Sequence, residues 1–448
     1  MRIPDLFQQR ITRQFGAEAD ELLQTIAAHR PPVSIRLNPQ KAGSSLDLTP
    51  FLNDPVPWHE GAFYLSERPS FTHDPDFHAG AYYVQEAGSM LLSAAIRQLD
   101  LPDQPLRVLD LCGAPGGKST LLLDEVPEDS LVICNEVIRA RTGVLKQNLV
   151  KWGRANVAVT NHDPADFARL RNWFDLILVD APCSGEGLFR RDPAAMQEWS
   201  PERVATCAAR QRRILKDIRH LLRPGGYLIY STCTYAPAEN DENIRWLLAA
   251  GDFESVRLSI PVSWNLLQTE FGLQALPNRV RSEGFFMGVL QNLRDERQTI
   301  SPTGKFSRLT PLTRREVAAV PPYLRRPVRY FQNEIGKVFA LPERLLSWMQ
   351  EMDRMLPKKS LGLEMGELKR TKFVPAHPLA LSVDLNEEPA FVDLSREEAL
   401  QYLRKSPLPT SGEPGWQFVR YNGRGLGCQK NVGRRTNNYL PTGWRILK

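Results

Sequence analysis

The sequence is poor in cysteine and histidine, and it has no long apolar run. Its 448 residues include 6 cysteines and 7 histidines, and no two cysteines have the C-x-x-C spacing of zinc sites and redox motifs. We therefore expect no metal, no disulfide framework and thiols in the reduced state. No stretch approaches the roughly 20 apolar residues of a membrane span, and residues 1–13 do not resemble a secretory leader. A cytoplasmic protein that binds no membrane is the expectation.

Acidic residues are scarce in two stretches of a chain whose formal net charge is +6. Residues 301–330 contain seven Lys or Arg and the single acid Glu316, and residues 411–448 contain seven and the single acid Glu413. Four aromatic residues are interleaved with the second stretch: Trp416, Tyr421, Tyr439 and Trp444. Either stretch could be ordinary solvated surface. Cationic side chains bind phosphates and aromatic rings stack on bases, so their combination favours a nucleic acid as the partner.

The middle of the chain alternates between predicted strands and helices. Apolar strands are predicted at residues 107–111, 131–134, 157–160, 174–179 and 226–230, and helices at residues 117–123, 139–152 and 204–222. This alternation is typical of an α/β fold with a doubly wound parallel sheet that helices cover on both faces. Two further strands, at residues 253–258 and 284–290, are expected to close the sheet as an antiparallel pair.

The flanking regions differ from this core in composition. A helix is predicted at residues 17–29, a strand at 33–38 after two prolines, and another helix at 85–99. The sequence turns polar and basic from Arg294, and the tail has a predicted helix at 395–403 with a capping box formed by Ser395 and Glu398. We therefore divide the chain into an N-terminal segment (1–84), a core (85–292), a basic linker or intermediate region (293–377) and a tail module (378–448).

A glycine-rich loop at residues 110–119 lies between the first core strand and its helix. It lacks the G-x-G-x-x-G pattern, and Cys112 stands where a Walker loop has its first glycine. Glycines at positions 113, 116 and 117 allow a tight turn and the close approach of a ligand. Glu136 and Asp163 follow the next two strands, where they are placed to bind ribose hydroxyls and an adenine amino group. A purely structural turn and solvated loop acids are the alternatives, but the order of these features favours an adenosine-containing cofactor.

Two cysteines follow neighbouring strands of the predicted sheet. Cys183 comes after the fourth strand and Cys233 after the fifth, so both should face one cleft beside the cofactor loop. Cys134 and Cys207 are expected to be inert core residues. A thiolate that adds to carbon 6 of a pyrimidine makes carbon 5 nucleophilic enough to accept a methyl group. Asp180 can hydrogen-bond the ring and stabilise the charge that develops there.

The same chemistry requires a second group. After methyl transfer, the proton on carbon 5 and the thiolate must leave, which calls for a general base or for assistance to release. The residues alone leave open which cysteine attacks, because the dipeptide Pro182-Cys183 is the setting of the nucleophile in DNA cytosine methyltransferases.

Five motifs together resemble the Nol/Nop/Sun family of RNA cytosine-C5 methyltransferases. They are residues 110–119, residues 135–136, residues 180–185 (DAPCSG), residues 231–234 (STCT) and residues 283–286 (EGFF). The resemblance implies a Rossmann-like methyltransferase core, S-adenosylmethionine as the cofactor, Cys233 as the attacking residue and Cys183 as the residue that helps to release the product. It places these residues around the cofactor: Cys112, Gly113, Ala114, Pro115, Gly116, Gly117, Lys118, Glu136, Asp163 and Asp180.

Segments outside the core resemble the same family. Residues 32–38 and 83–89 resemble its N-terminal RNA-contacting region, and residues 425–447 resemble the PUA-like α+β/β RNA-binding module of the branch that acts on bacterial small-subunit ribosomal RNA. Three positions depart from the family pattern: Gly113 stands for an alanine, Asn278 for a histidine and Ser282 for a glycine. These departures bear on which branch of the family the chain is placed in, and not on the reaction that the resemblance implies.

The implied partner is ribosomal RNA or the small ribosomal subunit, with an unstacked cytosine as the target and the chain acting as a monomer. Two alternatives are DNA cytosine methylation with Cys183 as the nucleophile, and a non-catalytic RNA-binding ribosome-assembly factor. The Thr-Cys motif opposes the first, and the presence of both thiols opposes the second.

Overall fold

The computed structural model describes residues 3–28, 31–43, 45–295, 304–370 and 372–447. Three predicted features extend beyond them: the first helix at residue 29, the first basic stretch at residues 301–303 and the second at residue 448. Among the described residues, no helix is both long and apolar enough to cross a membrane. The same residues contain no group of three or more side chains that could hold a metal ion.

A long mixed sheet forms the centre of the molecule, and its parallel strands pair in the order β9-β8-β5-β6-β7. These strands are β5 (Arg107–Asp110), β6 (Leu131–Asn135), β7 (Val157–Thr160), β8 (Phe174–Asp180) and β9 (Leu222–Thr232). The helices around them are α4 (Leu91–Ile96), α5 (Gly117–Glu125), α6 (Arg139–Trp152), α7 (Pro193–Gln197), α8 (Pro201–Ile218) and α9 (Asp241–Leu248). Val108 and Leu109 belong to apolar clusters on opposite faces of the sheet, so both faces are covered. The predicted doubly wound core is confirmed.

Antiparallel strands extend this sheet at both edges. At one edge, β13 (Phe285–Asn292) pairs with β9, and it also pairs with β10 (Phe253–Val256) and with β12 (Gly272–Ala275). The last of these pairs with β11 (Leu267–Gln268). At the other edge, β17 (Lys359–Leu361) pairs with β7. The predicted antiparallel closing pair is therefore confirmed as β10 and β13.

The N-terminal segment forms a small sheet and a helical pair. Its sheet has the order β2-β3-β1-β4, and the elements are α1 (Asp5–Phe15), α2 (Ala19–Ala27), β1 (Ser34–Leu37), β2 (Leu52–Pro55), β3 (Ala62–Leu65), α3 (Pro75–Ala79) and β4 (Tyr82–Val84). The predicted helix at 85–99 begins only at Leu91. The Glu86 carboxylate accepts hydrogen bonds from the backbone N–H groups of Gly88 and Ser89, which holds a tight turn there.

Residues 304–375 form a second packed unit, where the sequence predicted a basic linker or intermediate region. Its sheet has the order β14-β15-β16-β18-β19. Its elements are β14 (Thr310–Pro311), α10 (Arg314–Val317), β15 (Val328–Gln332), β16 (Lys337–Pro342), α11 (Leu346–Met355), β18 (Leu363–Lys369) and β19 (Lys372–Pro375). Phe331, Leu341, Met349 and Met352 are buried in the apolar cluster that covers one face of the core sheet. The many arginines of this region obscured its apolar strand and helix positions in the sequence.

The tail module is a four-stranded sheet with two helices. The order is β20-β21-β22-β23, and the elements are α12 (His377–Ala380), β20 (Phe391–Asp393), α13 (Arg396–Leu403), β21 (Gly415–Tyr421), β22 (Arg424–Asn431) and β23 (Thr436–Asn438). The predicted capping box of Ser395 and Glu398 is confirmed. Arg424 is buried and donates to Asp76 of the N-terminal segment at 2.8 Å. This residue of the basic tail therefore joins two parts of the molecule.

Candidate active site

The glycine-rich loop turns sharply at the carboxyl end of β5. The N–H of Gly113 donates to the carbonyl of Asn135 on β6 at 2.7 Å. A Cβ atom at Gly113 would lie 2.9 Å from Ser119 Oγ, so the turn has no space for a side chain there. Gly116 has a φ of 115°, a conformation that favours glycine. Because α5 begins at Gly117, its unpaired N–H groups lie at the end of this loop.

Asp110 supports the loop from below. It is fully buried, and Ser119 Oγ donates to its Oδ2 at 2.6 Å. Burial raises the pKa of Asp110 to about 7. Its role is therefore to hold the start of α5 against the end of β5.

Asp180 lies at the end of β8, directly opposite Ser231 of β9 in the strand register. Its carboxylate is 2.9 Å from Lys118 Nζ and accepts a hydrogen bond from Ser231 Oγ at 2.9 Å. Burial lowers the pKa of Lys118, but the Asp180 carboxylate outweighs this effect and the pKa lies above its ordinary value. The pair therefore places a charged ammonium and a carboxylate at the sheet edge.

The two predicted cysteines meet at the same edge. Their Sγ atoms are 3.2 Å apart, and both thiols are free. Cys233 lines the cavity above the loop, whereas Cys183 lies outside the lining. The hydrogen bond to Cys233, together with burial, raises the pKa of the Cys183 thiol well above its ordinary value. Cys112 also lines the cavity, but burial raises the pKa of its thiol well above the ordinary value, so it is expected to be unreactive.

A buried polar network fixes the loops that carry the two cysteines. Ser184 donates its N–H to Glu239 at 2.9 Å, and its hydroxyl is 2.9 Å from Thr234 Oγ1. Gln211 of α8 donates to the same Glu239 carboxylate at 2.8 Å and to the carbonyl of Pro182 at 3.1 Å. The residues that follow each cysteine are thus tied to each other and to α8, which holds the two sulfur atoms in contact.

The cavity has a volume of about 330 Å³. The predicted residues that line it are Cys112, Gly113, Ala114, Pro115, Gly117, Lys118, Asp180 and Cys233. Four predicted residues lie outside the lining: Gly116, Glu136, Asp163 and Cys183. The structure therefore brings the loop, the Lys–Asp pair and one cysteine together.

The two predicted ribose and adenine ligands have other partners. Glu136 is buried, accepts a hydrogen bond from the N–H of Ile138 at 2.8 Å and lies 3.4 Å from Arg141. Asp163 pairs with both guanidinium nitrogens of Arg213 on α8, at 3.1 and 3.0 Å. Arg141 also donates to the carbonyl of Ala114 at 2.7 Å, so it connects Glu136 to the cofactor loop.

Sequence reasoning assigned no individual role to several residues that line the cavity. They are Tyr83, Val84, Gln85, Glu86, Ser89, Arg141, Leu188, Arg191, Glu283, Gly284 and Phe285. A sequence signal was present for most of them, because they belong to the motif at residues 283–286 or to the segment at residues 83–89. In the structure, Glu283 precedes β13, which pairs with β9, and Cys233 directly follows β9.

The chain matches the family described as 16S rRNA methyltransferase RsmB/F over residues 98–291. It also matches the N-terminal domain of 16S rRNA methyltransferase RsmF over residues 3–87 and the methyltransferase RsmF PUA domain over residues 389–446. Ribosomal RNA small subunit methyltransferase F of Cronobacter sakazakii is 32% identical over 404 residues, which cover 86% of this chain and 83% of that protein. The chain belongs to the RsmF family.

A second curated relative supports RsmF membership, and a solved structure is similar in fold. Ribosomal RNA small subunit methyltransferase F of Aeromonas hydrophila is 31% identical over 463 residues, which cover 98% of this chain and 96% of that protein. The crystal structure of a methyltransferase homolog protein from Pyrococcus horikoshii is 28% identical, with a TM-score of 0.55 over 65% of this chain and 95% of that one. As a member of the RsmF family, the chain is a methyltransferase that uses S-adenosylmethionine, as predicted.

The residues at the sheet edge fit this cofactor. Gly113 lines the cavity, and the turn has no space for a side chain at this position. The cavity extends from this loop to Cys233, so a group held by the loop is next to the thiol. Glu136 supplies a carboxylate at the end of β6.

Proposed function

We propose that this RsmF-family chain methylates carbon 5 of a cytosine in small-subunit ribosomal RNA, with Cys233 as the nucleophile. The name shared by its relatives supports the choice of RNA. One observation carries the choice of residue: Cys233 lines the cavity beside the cofactor loop, whereas Cys183, with its Sγ 3.2 Å from that of Cys233, lies outside the lining. Cytosine must leave its stack to reach this cavity, so the substrate is an unpaired or flipped base.

The two thiols have different tasks in this proposal. Cys233 adds as a thiolate to carbon 6, which makes carbon 5 nucleophilic. Cys183 keeps its proton, because its pKa is raised by the contact with Cys233 and by burial. Its S–H can donate to the sulfur of Cys233, and it can supply a proton to that sulfur when the carbon–sulfur bond breaks. Cys183 therefore assists product release.

Asp180 and Lys118 bind the base as the thiolate adds. Asp180 accepts a hydrogen bond from the exocyclic amino group or from protonated ring nitrogen 3, and the ammonium of Lys118 stabilises negative charge that develops on the ring. S-adenosylmethionine supplies the electrophilic methyl group. Residues 112–118 hold it, Glu136 binds its ribose hydroxyls and Asp163 its adenine amino group. Asp163 must then exchange its contact with Arg213 for the cofactor.

The remaining parts of the chain bind RNA in this proposal. We assign this role to the N-terminal segment (1–84) and the tail module (378–448), on either side of the core (85–292) and the intermediate region (293–377). Exposed arginines of the tail, such as Arg434 and Arg435, are available for phosphate contacts. We further propose that the protein acts as a monomer in the cytoplasm, where its ribosomal substrate is located.

Trapping of the covalent adduct tests the reaction and the roles of the cysteines. Wild type, Cys233→Ser and Cys183→Ser are incubated with ribosomal RNA and labelled S-adenosylmethionine, and Cys207→Ser on α8 serves as the matched control. We expect methylated RNA from wild type and control, a denaturant-resistant adduct that accumulates with Cys183→Ser, and no adduct with Cys233→Ser. The reverse pattern would assign the attack to Cys183, and methylation by both variants would exclude a thiol mechanism. Methylation of DNA alone, or none at all, would favour the two alternative functions.

A further inference from the structure

One step of the proposed reaction still lacks a group that performs it. After methyl transfer, carbon 5 carries both a methyl group and a hydrogen, and that proton must pass to a base before the C5=C6 double bond can re-form. Cys183 is unsuited to this task because its own thiol holds its proton against Cys233. The carboxylates that line the cavity are the candidates: Glu86, Asp180 and Glu283.

Two of these carboxylates are already engaged. Glu86 accepts backbone hydrogen bonds from Gly88 at 2.9 Å, Ser89 at 2.8 Å and Glu283 at 3.0 Å, so each of its oxygens already has a donor. Asp180 is bound by Lys118 and Ser231, as described above. The oxygens of both carboxylates are therefore already in contact with hydrogen-bond donors or a cation.

Glu283 differs from the other two. Its side chain is 5% exposed, and its Oε2 accepts no hydrogen bond from any residue within the described parts of the chain. Arg191 Nε lies 3.7 Å from Oε2, which is beyond hydrogen-bonding distance. The backbone is nevertheless held firmly, because its N–H donates to Glu86 and its carbonyl accepts from Tyr235 OH at 2.8 Å.

The backbone of this segment also lies close to that of Cys233. A Cβ atom at Gly187 would meet the carbonyl of Gly284 at 2.7 Å and that of Cys233 at 3.0 Å. The carbonyls of Gly284 and Cys233 therefore both lie against Gly187, which keeps the two backbone segments close together. A base on Glu283 and the nucleophile Cys233 thus enter a single cavity from adjacent strands, β13 and β9.

We propose that the Glu283 carboxylate removes the proton from carbon 5 of the methylated cytosine adduct. The C5–H bond breaks, its electron pair forms the C5=C6 double bond, and the C6–S bond breaks to return the electron pair to Cys233. The proton remains on Glu283 until water removes it. Glu283 is thereby a further catalytic residue, and the inference rests on the proposed function.

The electrostatic surroundings suit a base that works near neutral pH. Burial raises the pKa of Glu283 to about 7, with a further contribution from Glu86, while Arg191 and Arg190 oppose the shift. The other charged groups of the cavity are the Lys118–Asp180 pair and Arg141. A base is most effective when its pKa is near the working pH.

The test measures formation and decay of the adduct separately in single-turnover reactions on ribosomal RNA. The variants are Glu283→Gln and Glu283→Asp, and Glu254→Gln, an exposed residue on β10, is the matched control. We expect Glu283→Gln to form an adduct that carries both the labelled methyl group and the hydrogen at carbon 5, and to release product about 10²- to 10⁴-fold more slowly. Glu283→Asp should recover part of the release rate, and the control should match wild type.

A purely structural role would not alter the pH profile or the isotope effect. In wild type, the decay rate should rise with pH through about 7 and then level off, and Glu283→Gln should lose this rise. Cytidine that carries deuterium at carbon 5 should slow the decay in Glu283→Gln more than in wild type. Release by Glu283→Gln at the wild-type rate overturns the inference and leaves the proposed function intact. Absence of any adduct in wild type overturns the proposed function itself.

Discussion

Arg36 offers a sharp test of how the N-terminal segment supports the site. It is completely buried on β1, within a segment that resembles an RNA-contacting region. Its guanidinium reaches into the core instead. The contacts are an ion pair with Asp124, hydrogen bonds to Gln85 at 3.0 Å, Thr120 at 2.6 Å and the carbonyl of Gly117 at 3.3 Å, and the face of Trp152 at 4.4 Å.

Replacement by methionine should be strongly destabilising. The ion pair with Asp124 is buried, with side-chain exposures of 0% and 9%. Removal of one partner from such a pair costs about 3–5 kcal/mol, because the remaining charge is left uncompensated. Asp124 then keeps the hydrogen bond from Trp152 Nε1, at 2.9 Å, and an electrostatic attraction to Arg154. Arg36→Met should therefore lower the free energy of unfolding by about this amount.

Urea unfolding and cofactor binding together check the prediction. We compare wild type, Arg36→Met, Asp124→Asn and the double variant, with the exposed Arg257→Met as control. The double variant should lose less than the sum of the single losses, because both remove the same pair. The dissociation constant for S-adenosylmethionine should rise in Arg36→Met, since Arg36 holds the Gly117 carbonyl at the cofactor loop. A loss below about 1 kcal/mol, which is typical of an exposed ion pair, would refute the reasoning. Weaker RNA binding without loss of stability would restore the RNA-contacting role.

Two further predictions concern the thiols and the dependence on pH. Mild oxidation should form a disulfide between Cys183 and Cys233, whose Sγ atoms are 3.2 Å apart, and should stop methylation until a reductant is added. Peptide mapping by mass spectrometry identifies the disulfide. Full activity of the disulfide form would contradict this prediction. The pKa of Asp110 is about 7 in the folded chain and about 4 in the unfolded chain. Between these pH values the folded state binds more protons than the unfolded state, so the protein loses stability as the pH rises from about 4 to 7. Asp110→Asn should make thermal melts over this range less dependent on pH, and an unaltered slope would show that Asp110 is not the group responsible.

Strand order was sufficient to predict the position of the site. Residues at the carboxyl ends of neighbouring parallel strands must meet at one edge, and the register that pairs Asp180 with Ser231 places the two following loops side by side. The contacts of Asp163 could not be predicted in this way. Its partner Arg213 lies on α8, 50 residues away in sequence, and the rotation of a helix over a sheet depends on packing that no local pattern reveals.

The intermediate region illustrates a different limit. Its sheet strands are largely apolar and carry one arginine, Arg329, but arginines in its loops and helices dominate the composition, so charge was interpreted as a sign of a linker. Phe331 and Leu341 of the sheet are buried against the core. Composition therefore reports the exposed loops and helices of this region more strongly than its buried strands.

The choice between the two cysteines gains a physical basis from their unequal surroundings. In sequence, each stands after a strand, and only resemblance favoured Cys233. In the structure, Cys233 lines the cavity, whereas Cys183 lies outside the lining and has a raised pKa, so that it holds its proton. A nucleophile must reach its substrate as a thiolate, and a residue that assists release must have a proton to give. In the proposed function, the position of Cys233 in the cavity lining favours it as the attacking residue, and the proton held by Cys183 suits that residue to assist release, which leaves the proton on carbon 5 to the carboxylate of Glu283.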